Sequence, residues 1–144
     1  MWAKIVVNPE CPLTGHFDAV TRVAFSGDGA HVVSASGRDN TVRLFEVASG
    51  RQVRQLVGNN FALVEGLSGE HKRVWHVITV NRYWVRIYKC AEEQQHAGDG
   101  AVEAPVACFK APQHIITVQC FGATICVGCV RGPVCILSAL FLAA

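Results

Sequence analysis

Apolar and polar residues alternate with a period of two along most of this chain, and turn formers interrupt the alternation at regular intervals. The β-branched run from Ala19 to Ser26 stops at Gly27-Asp28-Gly29. His31 to Ser36 stops at Gly37-Arg38-Asp39-Asn40, and Thr41 to Val47 at Ala48-Ser49-Gly50. A fourth run spans Gln52 to Val57. This pattern predicts strands at Ala19–Phe25, Ala30–Ser36, Val42–Val47 and Val53–Val57, joined by tight turns into one antiparallel meander without helix. Such a sheet is apolar on both faces and needs neighbours to be stable.

The unit recurs. Trp84-Val85-Arg86-Ile87-Tyr88-Lys89 overlays Thr41-Val42-Arg43-Leu44-Phe45-Glu46, with Val85 lying 43 positions after Val42. Arg73 to Val80 overlays the second strand, Asn81-Arg82-Tyr83 forms the turn, and Phe61 to Leu67, ending at Gly69-Glu70, supplies the first strand. The polar stretch Ala91 to Ala104 reads as a surface loop before a fourth strand, Val106 to Lys110. A third unit holds Ile115 to Phe121, Thr124 to Val130, the turn Arg131-Gly132-Pro133 and Val134 to Leu140. Pro133 opens that last strand, where proline is tolerated. Lys4 to Val7 reads as an outer strand of a preceding or closing unit. The chain thus divides into units at 13–57, 58–110 and 111–144, one domain's worth of stacked repeats.

The first unit resembles a WD repeat, the blade of a β-propeller. Gly15-His16 stands where that family has Gly-His, Ser34 or Ser36 where it has a small hydroxyl residue, and Asp39 where it has the turn aspartate. Phe45-Glu46 takes the place of Trp-Asp, and one extra residue, at Gly37, separates the serines from Asp39. The resemblance implies a structural hydrogen-bond relay through His16, Ser34 or Ser36, and Asp39, cut short at Phe45 because phenylalanine has no indole N–H. In the second unit Arg82 stands opposite Asp39, and Gly58-Asn59-Asn60 replaces Gly-His. The implied fold is all-β, a partial β-propeller of about three four-stranded antiparallel blades. The implied function is a non-catalytic scaffold for other proteins, with no cofactor and no metal, and with Asp18 and Arg38 on the partner-facing rim. Rings of this family need roughly 300 residues, so the chain reads as a fragment or isoform of a larger propeller. Its last two units are also similar to the final blades of proteins in which WD repeats follow a NACHT-type nucleotide-binding domain. That similarity suggests an alternative role as the sensor or autoinhibitory end of a nucleotide-hydrolysing switch.

Composition changes this picture little. The net charge of +2 is too small to imply nucleic acid. The N-terminal apolar run, Trp2 to Val7, is too short for a signal peptide, and the tail from Val134 to Ala144 is too short to span a bilayer. The chain is therefore read as cytoplasmic, without membrane contact, and its seven cysteines as reduced thiols. Cys126-Val127-Gly128-Cys129 has the spacing of a redox pair or half a zinc site, but residues three apart on a regular strand face opposite ways. His16, Ser34 and Asp39 contain the ingredients of a catalytic triad, yet no nucleophile elbow accompanies them. Gly27-Asp28-Gly29 and Gly98-Asp99-Gly100 open no helix and are turns. Trp75 and Trp84 are expected in the core. Three blades in an arc leave two bare sheet faces, each on the order of 300 Å². Self-association through those faces is expected.

Overall fold

The computed structural model describes residues 13–67, 73–91, 103–132 and 134–138. The candidate strand at Lys4 to Val7, the turn at Gly69-Glu70, loop residues 92–102, Pro133 and residues 139–144 lie outside them. Eleven strands follow in order: β1 Val20–Phe25, β2 His31–Ser36, β3 Thr41–Glu46, β4 Gln52–Val57, β5 Asn60–Leu67, β6 Arg73–Asn81, β7 Trp84–Ala91, β8 Ala107–Lys110, β9 Ile115–Phe121, β10 Thr124–Cys129 and β11 Val134–Ser138. They form three antiparallel sheets in sequence order, β1-β2-β3-β4, β5-β6-β7-β8 and β9-β10-β11. The first two are the four-stranded blades expected. The third, expected to have four strands, has three among the described residues.

The sheets stack face to face, and the period of two decides how. Alternate residues of the middle sheet enter two separate cores. Phe61, Trp75, Val77, Tyr88 and Cys90 pack on Val33, Ala35, Val42, Leu44, Val53 and Leu56 of the first sheet. Ala62, Val64, Ile78, Val80, Val85 and Ile87 pack on Ile115, Val118, Ile125 and Val127 of the third. Burying each valine, leucine, isoleucine or phenylalanine among these contributes roughly 1.5–3 kcal/mol, so the middle sheet holds the other two in place. Trp84, expected in the core, is exposed. It opens β7 beside the turn, level with Asn81, whose carboxamide meets Asn40 in a turn of the first sheet and not one of its strands. Lys110 and Arg86 flank its ring instead, 6.0 and 5.8 Å from the centroid.

Polar ties register the stack at both ends. Arg54 of β4 reaches across to the middle sheet. Its Nε donates to Glu103 Oε1 at 2.7 Å and its Nη1 to the Lys89 carbonyl at 2.8 Å and to Cys90 Sγ at 2.9 Å. At the opposite end the linker from β4 to β5 crosses between sheets at Gly58. The Thr79 hydroxyl donates to the Val57 carbonyl at 2.6 Å, Gly58 N–H to the Asn40 carbonyl at 3.1 Å and Asn59 N–H to the Val80 carbonyl at 2.9 Å. The passage is so close that a Cβ at position 58 would lie 2.7 Å from Thr79 Cβ.

Gly58→Ala is therefore expected to lower stability by roughly 1–3 kcal/mol through overpacking. Gly37→Ala, whose nearest neighbour would be the Thr21 methyl at 3.9 Å, is expected to stay within about 0.5 kcal/mol of the parent. Chemical denaturation of the two variants beside the parent chain checks the contrast.

Candidate interaction surface

The turn between β2 and β3 organises one end of the first sheet. Ser36 pairs with Thr41, leaving a four-residue connection, Gly37-Arg38-Asp39-Asn40, that closes with Asn40 in the left-handed region at φ 55°. Asparagine tolerates that conformation better than most residues. Asp39 shapes the turn locally: its Oδ1 accepts from the Thr41 amide at 2.9 Å and from the Thr41 hydroxyl at 2.8 Å. An aspartate bonding the backbone two residues on is the ordinary Asx-turn.

The other carboxylate oxygen faces the segment before β1. His16 Nδ1 donates to Asp39 Oδ2 at 2.7 Å, which leaves Nε2 to accept the Ser34 hydroxyl at 2.8 Å. Gly15 precedes this histidine with φ 147°. A Cβ there would meet Arg43 Nη1 at 2.8 Å and Gln52 Oε1 at 2.9 Å. Of the two serines in the WD pattern, Ser34 joins the relay. Ser36 is fully buried, and among the described residues its hydroxyl has no hydrogen-bond partner. Phe45 is buried and offers no donor. Three members were not read from the sequence: Thr41, Arg43 and Gln52. Arg43 Nε donates to Thr41 Oγ1 at 3.2 Å and its Nη1 to Gln52 Oε1 at 2.6 Å. The signal for Thr41 was its place two residues after an aspartate in a turn.

Burial by itself would raise the Asp39 carboxyl. The hydrogen bonds from His16 and from the Thr41 hydroxyl and amide, with the charge of His16, outweigh it and hold the group below its ordinary 3.8. Ser34, His16 and Asp39 thus have the bonding order of a hydrolase triad, but Ser34 is buried in β2, whose two neighbours pair it with Val23 and Arg43.

Beside the turn lies a cleft of about 380 Å³ lined by Gly37, Arg38, Asn40, Asn59, Asn81 and Arg82. It spans two blades. Asn81 Nδ2 donates to Asn40 Oδ1 at 2.5 Å across its floor. Arg38 lines it; Asp18 does not, and its Oδ1 accepts from the Ala19 amide at 2.7 Å.

Four of the thiols, Cys120, Cys126, Cys129 and Cys135, lie in the third sheet, where Cys129 neighbours Cys135. Ile125, Val127 and Cys129 pack toward the middle sheet, whereas Cys126, between Ile125 and Val127 in β10, points to the other side. Among the described residues no group of three or more His, Cys, Asp or Glu side chains is placed to hold a metal ion. Burial pushes the Cys90 and Cys120 thiols up to about 11, against the opposing charges of Arg54 and Arg22 respectively.

Antiparallel meanders stacked face to face are the architecture of a partial β-propeller, and the His16–Ser34–Asp39 contacts fall in its first blade. Comparison with known proteins agrees. Residues 8–46 match the family described as WD domain, G-beta repeat, so the first unit carries a WD repeat. An uncharacterized WD repeat-containing protein of Synechocystis sp. is 51% identical over 47 residues. That match covers 33% of this chain, and the chain spans only 14% of the relative. Among solved structures, the dihydro-heme d1 dehydrogenase NirN in complex with DHE superposes with a TM-score of 0.56 at 9% identity, over 85% of this chain and 26% of that one. The computationally designed Ika4 protein superposes with a TM-score of 0.51 at 15% identity, over 86% and 68% of the two chains. These two likenesses concern the fold alone.

Asp39→Ala is expected to lower stability by on the order of 1–3 kcal/mol, since His16 and the Thr41 amide lose their acceptor. The carboxylate's contribution is complete above its ordinary 3.8 and is lost as pH falls below that value through the depressed folded pKa, because the unfolded chain takes up the proton first. Denaturation followed from neutral to acid pH should show this limb in the parent and a flatter one in Asp39→Asn.

A second expectation concerns the thiols. The thiolate is the reactive form, so iodoacetamide at neutral pH should label the exposed Cys108 well before Cys90. Peptide mapping by mass spectrometry reads the order, and early labelling of Cys90 would contradict the packing described.

Proposed function

We propose that this chain is a non-catalytic protein–protein interaction scaffold of the cytoplasm, contributing its blades to a larger propeller assembly. WD repeats generally serve protein interaction, and the chain carries one. One observation supports the finer reading most directly: both end sheets turn apolar side chains outward. Val23 and Phe25 of β1 are each 65% exposed, on the face opposite the core. Phe121 of β9 is 91% and Ile136 of β11 is 69% exposed on the outer face of the third sheet. Apolar residues clustered on the outermost faces of a stack mark surfaces that another protein element covers.

The rigid stack suits this role. Its turns are held by the relay and by the linker at Gly58, so little ordering entropy is lost when a partner docks on them. Arg38 is a partner-facing residue in this reading, and Asp18 flanks the same end. Among the described residues no helix is long and apolar enough to cross a membrane.

Size-exclusion chromatography with light scattering tests the proposal. The 144-residue chain is expected to run larger than a monomer at micromolar concentration. Phe25→Ser and Ile136→Ser, each removing one end's apolar contact, should shift it toward the monomer without changing the strand signal in circular dichroism. A cooperatively melting monomer in the parent chain would refute the role given to the end faces.

A further inference from the structure

The cleft beside the β2–β3 turn carries a chemistry that the scaffold role does not specify. Arg38 and Arg82 occupy the same turn in successive blades, and folding brings them to the two walls of one cleft. Among the described residues neither guanidinium makes a hydrogen bond or an ion pair. Among the described residues no carboxylate lines the cleft. The nearest in sequence, Asp39, is turned the other way and fully engaged by His16 and Thr41. The remaining lining groups are carboxamides. Because Asn81 Nδ2 donates to Asn40 Oδ1, the Asn40 amide is left with its Nδ2 hydrogens to offer. Asn59 adds a further carboxamide.

Arg82 also holds an unfavourable backbone conformation. It sits at φ 49° in a two-residue connection between Asn81 and Trp84, where a residue with a Cβ is strained and glycine is not. Its carbonyl is fixed by the Ile115 amide at 2.5 Å, and the next carbonyl, of Tyr83, by the Ala111 amide at 2.6 Å. The turn is thus clamped to the third sheet while the arginine side chain stays free. Two unpaired guanidiniums with convergent amide donors match an oxyanion, since arginine recognises carboxylate and phosphate through its fork of N–H groups.

We propose that this cleft binds an acidic segment of a partner polypeptide, with Arg38 and Arg82 pairing its carboxylate or phosphate groups and Asn40 and Asn59 donating to the same oxygens. The proposal deepens the scaffold reading and rests on it. It also sets a polarity for the surface, which takes an anionic partner and rejects a basic one.

Fluorescence anisotropy with three dye-labelled peptides of equal length tests this: one glutamate-rich, one phosphoserine-containing, one neutral. The full chain should bind the acidic peptides at least ten-fold more tightly than the neutral one, and binding should weaken as salt rises. Binding of both acidic peptides identifies carboxylate as sufficient; binding of the phosphopeptide alone, competed by inorganic phosphate, identifies phosphate. Arg38→Gln and Arg82→Gly should each weaken binding by ten-fold or more. Arg82→Gly is the cleaner variant, because glycine suits that φ and the melting midpoint should not fall. Arg131→Gln, in the corresponding turn of the third sheet but outside the cleft, should leave binding unchanged. Undiminished binding by the Arg38→Gln, Arg82→Gly double variant would overturn the proposal. So would preference for a single-stranded oligonucleotide over either peptide. A chain that assembles through its end faces yet ignores acidic peptides refutes the cleft alone; a monomer that binds them refutes the end-face role alone.

Discussion

Everything in this fold rests on one sheet having two apolar faces. In β5 to β7, odd and even positions are both filled with large aliphatic or aromatic residues, so the sheet cannot be soluble on either side. Phe61 and Ala62, adjacent in sequence, belong to different cores. That constraint forces a sheet above and a sheet below, fixes which face each of those presents, and leaves their far faces for something else to cover. The polar groups refine this arrangement. The Arg54 ties and the Thr79 bond to the linker carbonyl set register at the two ends, but a few hydrogen bonds, each worth about 1 kcal/mol net, could not hold sheets that hydrophobic burial did not already bring together.

Much of this was legible in the sequence, because strand period and turn chemistry are local signals. The boundaries of β2, β5, β9 and β10 lie within a residue of the pattern-based expectation. The 43-residue offset holds for Thr41 and Trp84, the first residues of β3 and β7. It fails for the fourth strands, where β8 begins at Ala107, because the polar insertion after β7 displaces it. Trp84 was misplaced for a different reason. Hydrophobicity suggests burial, but whether a strand residue meets a facing strand or a facing turn depends on how two sheets are offset, and that is not encoded locally.

The relay and the cleft show the same division. Gly15-His16 and Asp39 could be named from their order along the chain, but the choice of Ser34 over Ser36 depends on which hydroxyl the imidazole reaches. Arg38 and Arg82 each looked like an ordinary surface charge. Only the stacking of one blade on the next gives them a common cleft, although their near-period spacing was a usable hint. The two features are also electrostatically coupled in a simple way. By drawing Asp39 inward, His16 and Thr41 remove the one carboxylate that would neutralise the turn, so the surface beside it is left cationic.

The segment carrying Gly15 and His16 lies across only one of the two outer faces. There the exposed apolar strip along β1 adjoins a polar field of Arg43, Gln52 and the relay, and at the other end Phe121 and Ile136 stand among Gln119 and Thr124. Among the described residues the two ends are therefore different surfaces. Were such units to assemble through the end faces as proposed, growth would be vectorial, the tail of one stack meeting the head of the next. Contacts of that kind close only when the cumulative rotation returns to its start, and otherwise continue as an open filament. The angle between adjacent sheets, set by side-chain volumes in the two cores, would then decide whether such an assembly is finite.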